Sequence, residues 1–210
     1  MSVTNCALTH MFEHEMNNVG MLIETILVNN DSELMSCFVS RHTVLLEQIN
    51  SKLEQLKNPT HIHDLTVIKE KLVKLQDTLP FIDTAIKNTP TLQNGMLPYY
   101  LEDHITETAK HVEDMTLKSI YNWYHDILDH LVWVILHPYK LKHCMECLSR
   151  LIKGIELYTT LQGILSDQKD DLLICWRNTK RLYAFLFTFS STIQQGVLGK
   201  RSPTRRRKYK

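Results

Sequence analysis

Histidine and carboxylate side chains recur at helical spacing in the second half of this 210-residue chain, which carries eleven histidines. His104, Glu107 and His111 are three and four residues apart, so a helix would carry them on one face, and Asp103 stands four before Glu107. Trp123, Ile127, His130, Val134 and His137 follow the same spacing on a face that is otherwise apolar. That pattern points His130 into the interior, with Asp126 one turn before it and Asp129 beside it. Imidazoles and carboxylates converging inside a helical bundle are the donor set of a transition-metal site, and their intermediate hardness suits iron, manganese or zinc. Further carboxylates would fix the ring tautomers. The competing account is that these histidines are satisfied internally by hydrogen bonds to Asp, Tyr or Thr side chains, as buried polar groups generally are.

Two shorter motifs bear on the same chemistry. His10-Met11-Phe12-Glu13-His14 has the His-x-x-Glu-His spacing of some zinc peptidases. Those enzymes need a mixed fold with a cleft, and no segment here alternates at period two; the alternatives left for His10 and His14 are an ordinary helix surface or extra ligands for a site in the bundle. Cys144-Met145-Glu146-Cys147, next to His143, has the spacing of a redox pair or of half a zinc site. No second cysteine pair accompanies it, which favours structural cysteines on a helix. Five cysteines in all, an odd number without a dense framework, fit a reducing compartment.

The charge is unevenly placed. Lys200, Arg201, Arg205, Arg206, Arg207, Lys208 and Lys210 fall in the last eleven residues, with no acid among them. The other 17 basic residues face all 23 acidic ones, so residues 1–199 carry −6 although the whole chain carries +1. Such a basic run cannot pack against itself, and it binds phosphate-rich polymers by counterion release. A nucleic acid or an acidic protein is therefore the expected partner of these seven residues. The run also has the form of a nuclear-import signal, and Ser202-Pro203 that of a phosphorylation switch.

The elements that must position these groups are helices. Only 6 Gly and 6 Pro occur, too few for the turns of a sandwich or barrel. Helices are expected over about 6–27, over 32–57 after the Asn29-Asn30-Asp31-Ser32 stop and cap, and over 62–78. Pro80 is expected to kink or restart the third, which fades by Asn88. Residues 88–98 read as a loop. From Pro98 a helix runs to His137 with a break near 114–118; Pro138 opens another to about 165; and Ser166 caps a last one reaching about Gln195. Short connections imply antiparallel neighbours, hence an all-α bundle of six to seven helices over 1–196 with a disordered basic tail over 197–210. No apolar run reaches 18 residues and the N-terminus lacks a secretory pattern, so no membrane contact is expected and an intracellular setting is. That setting would be cytoplasmic, or nuclear in a eukaryotic or viral context. The oligomeric state is open, a homodimer included.

The string Asn122-Trp123-Tyr124-His125-Asp126-Ile127-Leu128-Asp129-His130, continuing through an apolar run to His137-Pro138, resembles a recurring segment of a bacterial family of two-repeat, ferritin-like helical proteins catalogued as a domain of unknown function. That segment has an aromatic Trp, an acid-His pair, an apolar run and a Pro opening the next helix. The string Gly95-Met96-Leu97-Pro98, followed by Asp103-His104 and Glu107-Thr108-Ala109, resembles the family's other segment. The resemblance covers about 45 residues. It implies a ferritin- or hemerythrin-like bundle holding one or two metal ions, iron foremost, with His104, Glu107, His111, His130 and a carboxylate from Asp103, Asp126 or Asp129 as ligands. It departs from the family where the family's Glu-Ala reads Thr108-Ala109, with the Glu displaced to Glu107, and in the other repeat, where Asn17-Asn18 and the stretch 176–183 (WRNTKRLY) stand in place of ligand pairs. The expectation is thus a metal-binding bundle with a degenerate di-metal site; the alternative is a non-enzymatic helical scaffold that works through its basic tail.

Overall fold

The computed structural model describes residues 2–29, 32–55, 57, 59–109, 112, 115–161 and 166–199. Seven α-helices account for nearly all of them: α1 (Ser2–Asn29), α2 (Ser32–Gln55), α3 (Pro59–Asn88), α4 (Tyr99–Thr108), α5 (Leu117–Leu136), α6 (Leu141–Leu161) and α7 (Ser166–Gly199). The expected all-α class holds.

Each helix buries an apolar stripe at three- and four-residue spacing. In α1 the stripe is Met16, Val19, Ile23 and Ile26; in α3 it is Leu65, Ile68, Leu72, Leu75, Leu79 and Ile82. The inner face of α7 carries Leu172, Cys175, Leu182, Tyr183, Leu186 and Phe189. These stripes join in one hydrophobic core. α7 is central to it, packing on α6, α3, α1 and α5, while α1 lies along α5 and α2 along α3. At Gly20 the backbones of α1 and α5 approach closely: a Cβ there would stand 1.9 Å from the Leu128 carbonyl oxygen.

Several boundaries differ from the sequence expectation. α3 begins at Pro59, which suits a first turn because proline has no N–H to leave unpaired. It then continues past Pro80, which neither ends nor restarts it. Pro80 is on the exposed side, where the carbonyl it leaves unpaired can turn to water, while Leu79 and Ile82 hold the opposite face in the core. The break expected near 114–118 in the helix from Pro98 comes sooner: α4 stops at Thr108, and α5 starts at Leu117 behind a capping box. There the Thr116 side chain accepts from the Ser119 amide, and the Ser119 hydroxyl accepts from the Thr116 amide. Pro138 opens a single 3-10 turn, Pro138–Lys140, rather than α6 itself.

The expected loop before α4 is a tight hairpin. Gln93 and Met96 exchange backbone hydrogen bonds of 2.9 and 3.0 Å across Asn94 and Gly95. Both central residues have positive φ, 53° and 81°, the conformation that Asn-Gly pairs adopt most readily. The turn is pressed onto α7, since a Cβ on Gly95 would lie 3.1 Å from the Trp176 ring.

Candidate functional site

The α4 histidine faces α7. His104 is half-buried; its Nδ1 is hydrogen-bonded to the Tyr183 hydroxyl, and its ring meets the Phe187 edge at 5.2 Å. Thr108 stands one turn on, 3.5 Å from the same nitrogen, while its hydroxyl donates to the His104 carbonyl at 2.6 Å. Burial pushes the Tyr183 phenol above its ordinary value, so the hydroxyl is a neutral partner for the imidazole. Asp103 and Glu107 are exposed. The helix buries Leu101 and Ile105, and residues two positions from either lie on the opposite side of a 3.6-residue helix. His111 lies outside the described residues.

On α5 the expectation of an inward His130 is corrected. The buried arc is centred on Tyr124, Leu128, Leu131 and Ile135. Ile127 and Val134 lie on its edge and Trp123 and His130 beyond it, so the shared face is a rim rather than an interior. His130 is exposed, its Nδ1 bonded to the Asp126 carbonyl at 2.7 Å, and Asp126 and Asp129 are exposed too. His14 is exposed and pairs with the Asn18 amide at 3.0 Å; the side chain of His10 lies outside the described ones. Among the described residues, no three His, Cys, Asp or Glu side chains stand close enough together to hold a metal ion. The basic residues Lys200, Arg201, Arg205, Arg206, Arg207, Lys208 and Lys210 all lie outside the described residues.

The interior polar groups with most structural weight are ones the spacing argument passed over. Lys180 of α7 is completely buried and reaches Glu102 of α4 at 2.7 Å. Its Nζ also lies 4.0 Å from the Trp176 ring centroid and 4.0 Å from Glu156 of α6. The Trp176 indole donates to Glu156 at 3.1 Å, and Glu102 in turn accepts the Leu97 amide at 2.8 Å. One buried cation thereby ties α4, α6, α7 and the hairpin together. It sits in the stretch 176–183 that reads as an emptied ligand segment. The available signal was position: Lys180 is four residues from Trp176 and three from Tyr183, on the flank of the α7 stripe.

A second network joins α1, α5 and α7. Glu24 accepts from the Tyr124 hydroxyl and from Asn178 Nδ2, the latter at 2.8 Å, and Arg181 donates to Asn178 at 2.8 Å. Burial first, and then the adjoining Glu24 carboxylate, drive the Tyr124 phenol far above its ordinary value. His42 on α2 stands apart. It is buried edge-on against Phe38 at 4.3 Å, neither ring nitrogen has a partner among the described residues, and burial followed by the Arg41 charge lowers its pKa to about 4.

Polar side chains also gather outside the core, in a groove of about 430 Å³ lined by α5 and α6 that includes Asp126, His130, Trp133, His143 and Cys147. Set against protein-family models, curated proteins and solved structures, the chain matches none.

Proposed function

We propose that this protein is a helical-bundle interaction protein whose basic segment, residues 200–210, binds nucleic acid. The carrying observation is the partition of charge: seven cations and no acid follow a body of net charge −6. Position supports it, because α7 is held in the core between Leu172 and Phe189 and extends to Gly199, the residue before the basic run begins. The paired interior adds to it: His104 with Tyr183, Lys180 with Glu102, and Glu24 with Tyr124 and Asn178 each hold helices to one another.

The test is fluorescence anisotropy with a labelled duplex and a labelled single strand, comparing the full chain with one cut after Gly199 across a salt series. The full chain should bind both with little sequence preference. Its affinity should fall steeply with salt, by a log–log slope of about −0.9 for each duplex phosphate neutralised. The truncated chain should lose that binding. Equal binding by both forms would remove the tail as the contact, and preference for an acidic polypeptide over both nucleic acids would move the partner to an acidic protein.

A metal ion in the bundle is the second reading, supported by the half-buried place of His104 and by the two resembling segments. Iron, manganese or zinc held by His104, Glu107, His111 and His130 requires His104 to leave Tyr183, and Glu107 and His130 to turn in from solvent. Elemental analysis of protein produced with all three metals supplied, beside a His104→Ala/His130→Ala double variant, decides it. Near-zero metal, or equal metal in both, ends that reading.

A further inference from the structure

Trp123 and Trp133 both line the groove of about 430 Å³ between α5 and α6. Trp133 is engaged within the chain: Lys71 Nζ stands 5.0 Å from its ring centroid, and His137 stacks on it at 6.0 Å. Trp123 is half-buried in the groove wall and has no ring or cation beside it among the described residues. A half-exposed indole at a groove wall is a platform on which a flat ring can stack, and every nucleobase presents such a face.

The charge around this groove runs against that of the acidic body. No acid occurs between Asp129 and Glu146, whereas Lys140 and Lys142 do, and both are exposed. Lys140 lines the groove and makes no ion pair among the described residues, so it is free to hold a phosphate. On the α5 wall, His130 Nδ1 donates to the Asp126 carbonyl at 2.7 Å, which leaves Nε2 as an acceptor. The Asp126 carboxylate lines the groove as a second acceptor. It repels phosphate, and both acceptors match the N–H groups that each base carries on its edge. The apolar lining, Ile127, Val134 and Cys144, also suits a ring rather than a phosphate.

We propose that the α5–α6 groove binds unpaired nucleotides of a single-stranded nucleic acid, with a base stacked on Trp123 and the backbone held by Lys140. The inference rests on the nucleic-acid reading of residues 200–210 and adds to it. The basic segment attaches any phosphate polymer, and the groove favours a strand whose bases are free. In a duplex the bases stack on one another, and none reaches an indole without first being unpaired and unstacked. Stacking is tolerant of sequence, because it uses the face that all bases share.

Fluorescence anisotropy of the full chain with labelled probes of equal length reads the groove: a mixed-sequence single strand, the same strand without its bases, and the corresponding duplex. The two single strands carry the same phosphates, so the basic segment alone binds them equally. Stacking should make the strand with bases at least about 5-fold tighter, and that strand should quench tryptophan fluorescence. Trp123→Leu should remove the preference and most of the quench while leaving duplex affinity unchanged. Lys140→Glu, a change on an exposed turn, should reduce the preference without touching the core. Circular dichroism of both variants checks folding. A chain cut after Gly199 that binds as well as the full chain would remove the basic segment and leave the groove standing. Equal affinity for the strands with and without bases overturns the groove, as does a preference unchanged in folded Trp123→Leu or in Lys140→Glu. A glutamate-rich peptide bound more tightly than the single strand, with the difference lost in Trp123→Leu, would assign the groove to a protein partner and overturns the proposal too.

Discussion

Lys180 has no exposed side-chain surface, yet it is charged and sits 2.7 Å from Glu102. Removing one member of such a pair strands the other in the interior, whereas replacing both with apolar groups often does not. Lys180→Met should therefore lower stability by about 3 kcal/mol in urea unfolding, and Lys180→Met with Glu102→Leu should recover most of that loss. His42 makes the opposite case, a neutral base buried with no hydrogen-bond partner among the described residues. Its folded pKa of about 4 lies below the unfolded 6.5, so between those values the unfolded chain binds more protons. Stability should be full above about pH 6.5 and fall as pH drops toward 4, by at most about 3 kcal/mol. His42→Leu should flatten that part of the stability–pH curve, and an unchanged slope would place the titrating group elsewhere. The sequence marked His104 and His130 alike, because helical spacing locates a stripe but not its edges. The burial of Lys180 was hidden for the same reason, since its partners come from α4 and α6, far away in the chain.

At the scale of elements, the apolar stripes, the boundary between α1 and α2 at Asn29 and Ser32, a connection before α4 and the start of α7 at Ser166 were readable, because they depend on local chemistry. Persistence of α3 through Pro80 was not, since a proline is tolerated or not according to which side of the helix meets water. α7 likewise runs on past its expected end near Gln195 to Gly199. Gly20 is the clearest tertiary requirement: its α-carbon must let the Leu128 backbone through. Gly20→Ala, favourable for an isolated helix, should destabilise this one by about 3 kcal/mol because two helix backbones must move apart. A melting temperature equal to or above that of the parent would show that α1 and α5 separate at little cost.

The whole molecule joins a body of net charge −6 to seven clustered cations. Among the described residues no helix is long and apolar enough to cross a membrane. If the basic run holds a polyanion, charge added to it should tune the grip. Ser202→Asp should weaken nucleic-acid affinity and reduce the salt slope by about one, and phosphorylation of Ser202, which adds about −1.5 to −2, should do more. An unchanged slope would show that the contact does not include Ser202 and its neighbours.

The central position of α7 has a consequence for how the molecule is made. Its partners α1, α3, α5 and α6 all precede it in the chain, and they meet around a helix that the ribosome delivers after them. Until then, the surfaces meant for Leu182, Tyr183, Leu186 and Phe189 stand open to water, and so does the seat for the Lys180 cation. The nascent protein should therefore pass through an adhesive stage that attracts chaperones, and shortened products ending within α6 should aggregate rather than persist as a smaller bundle.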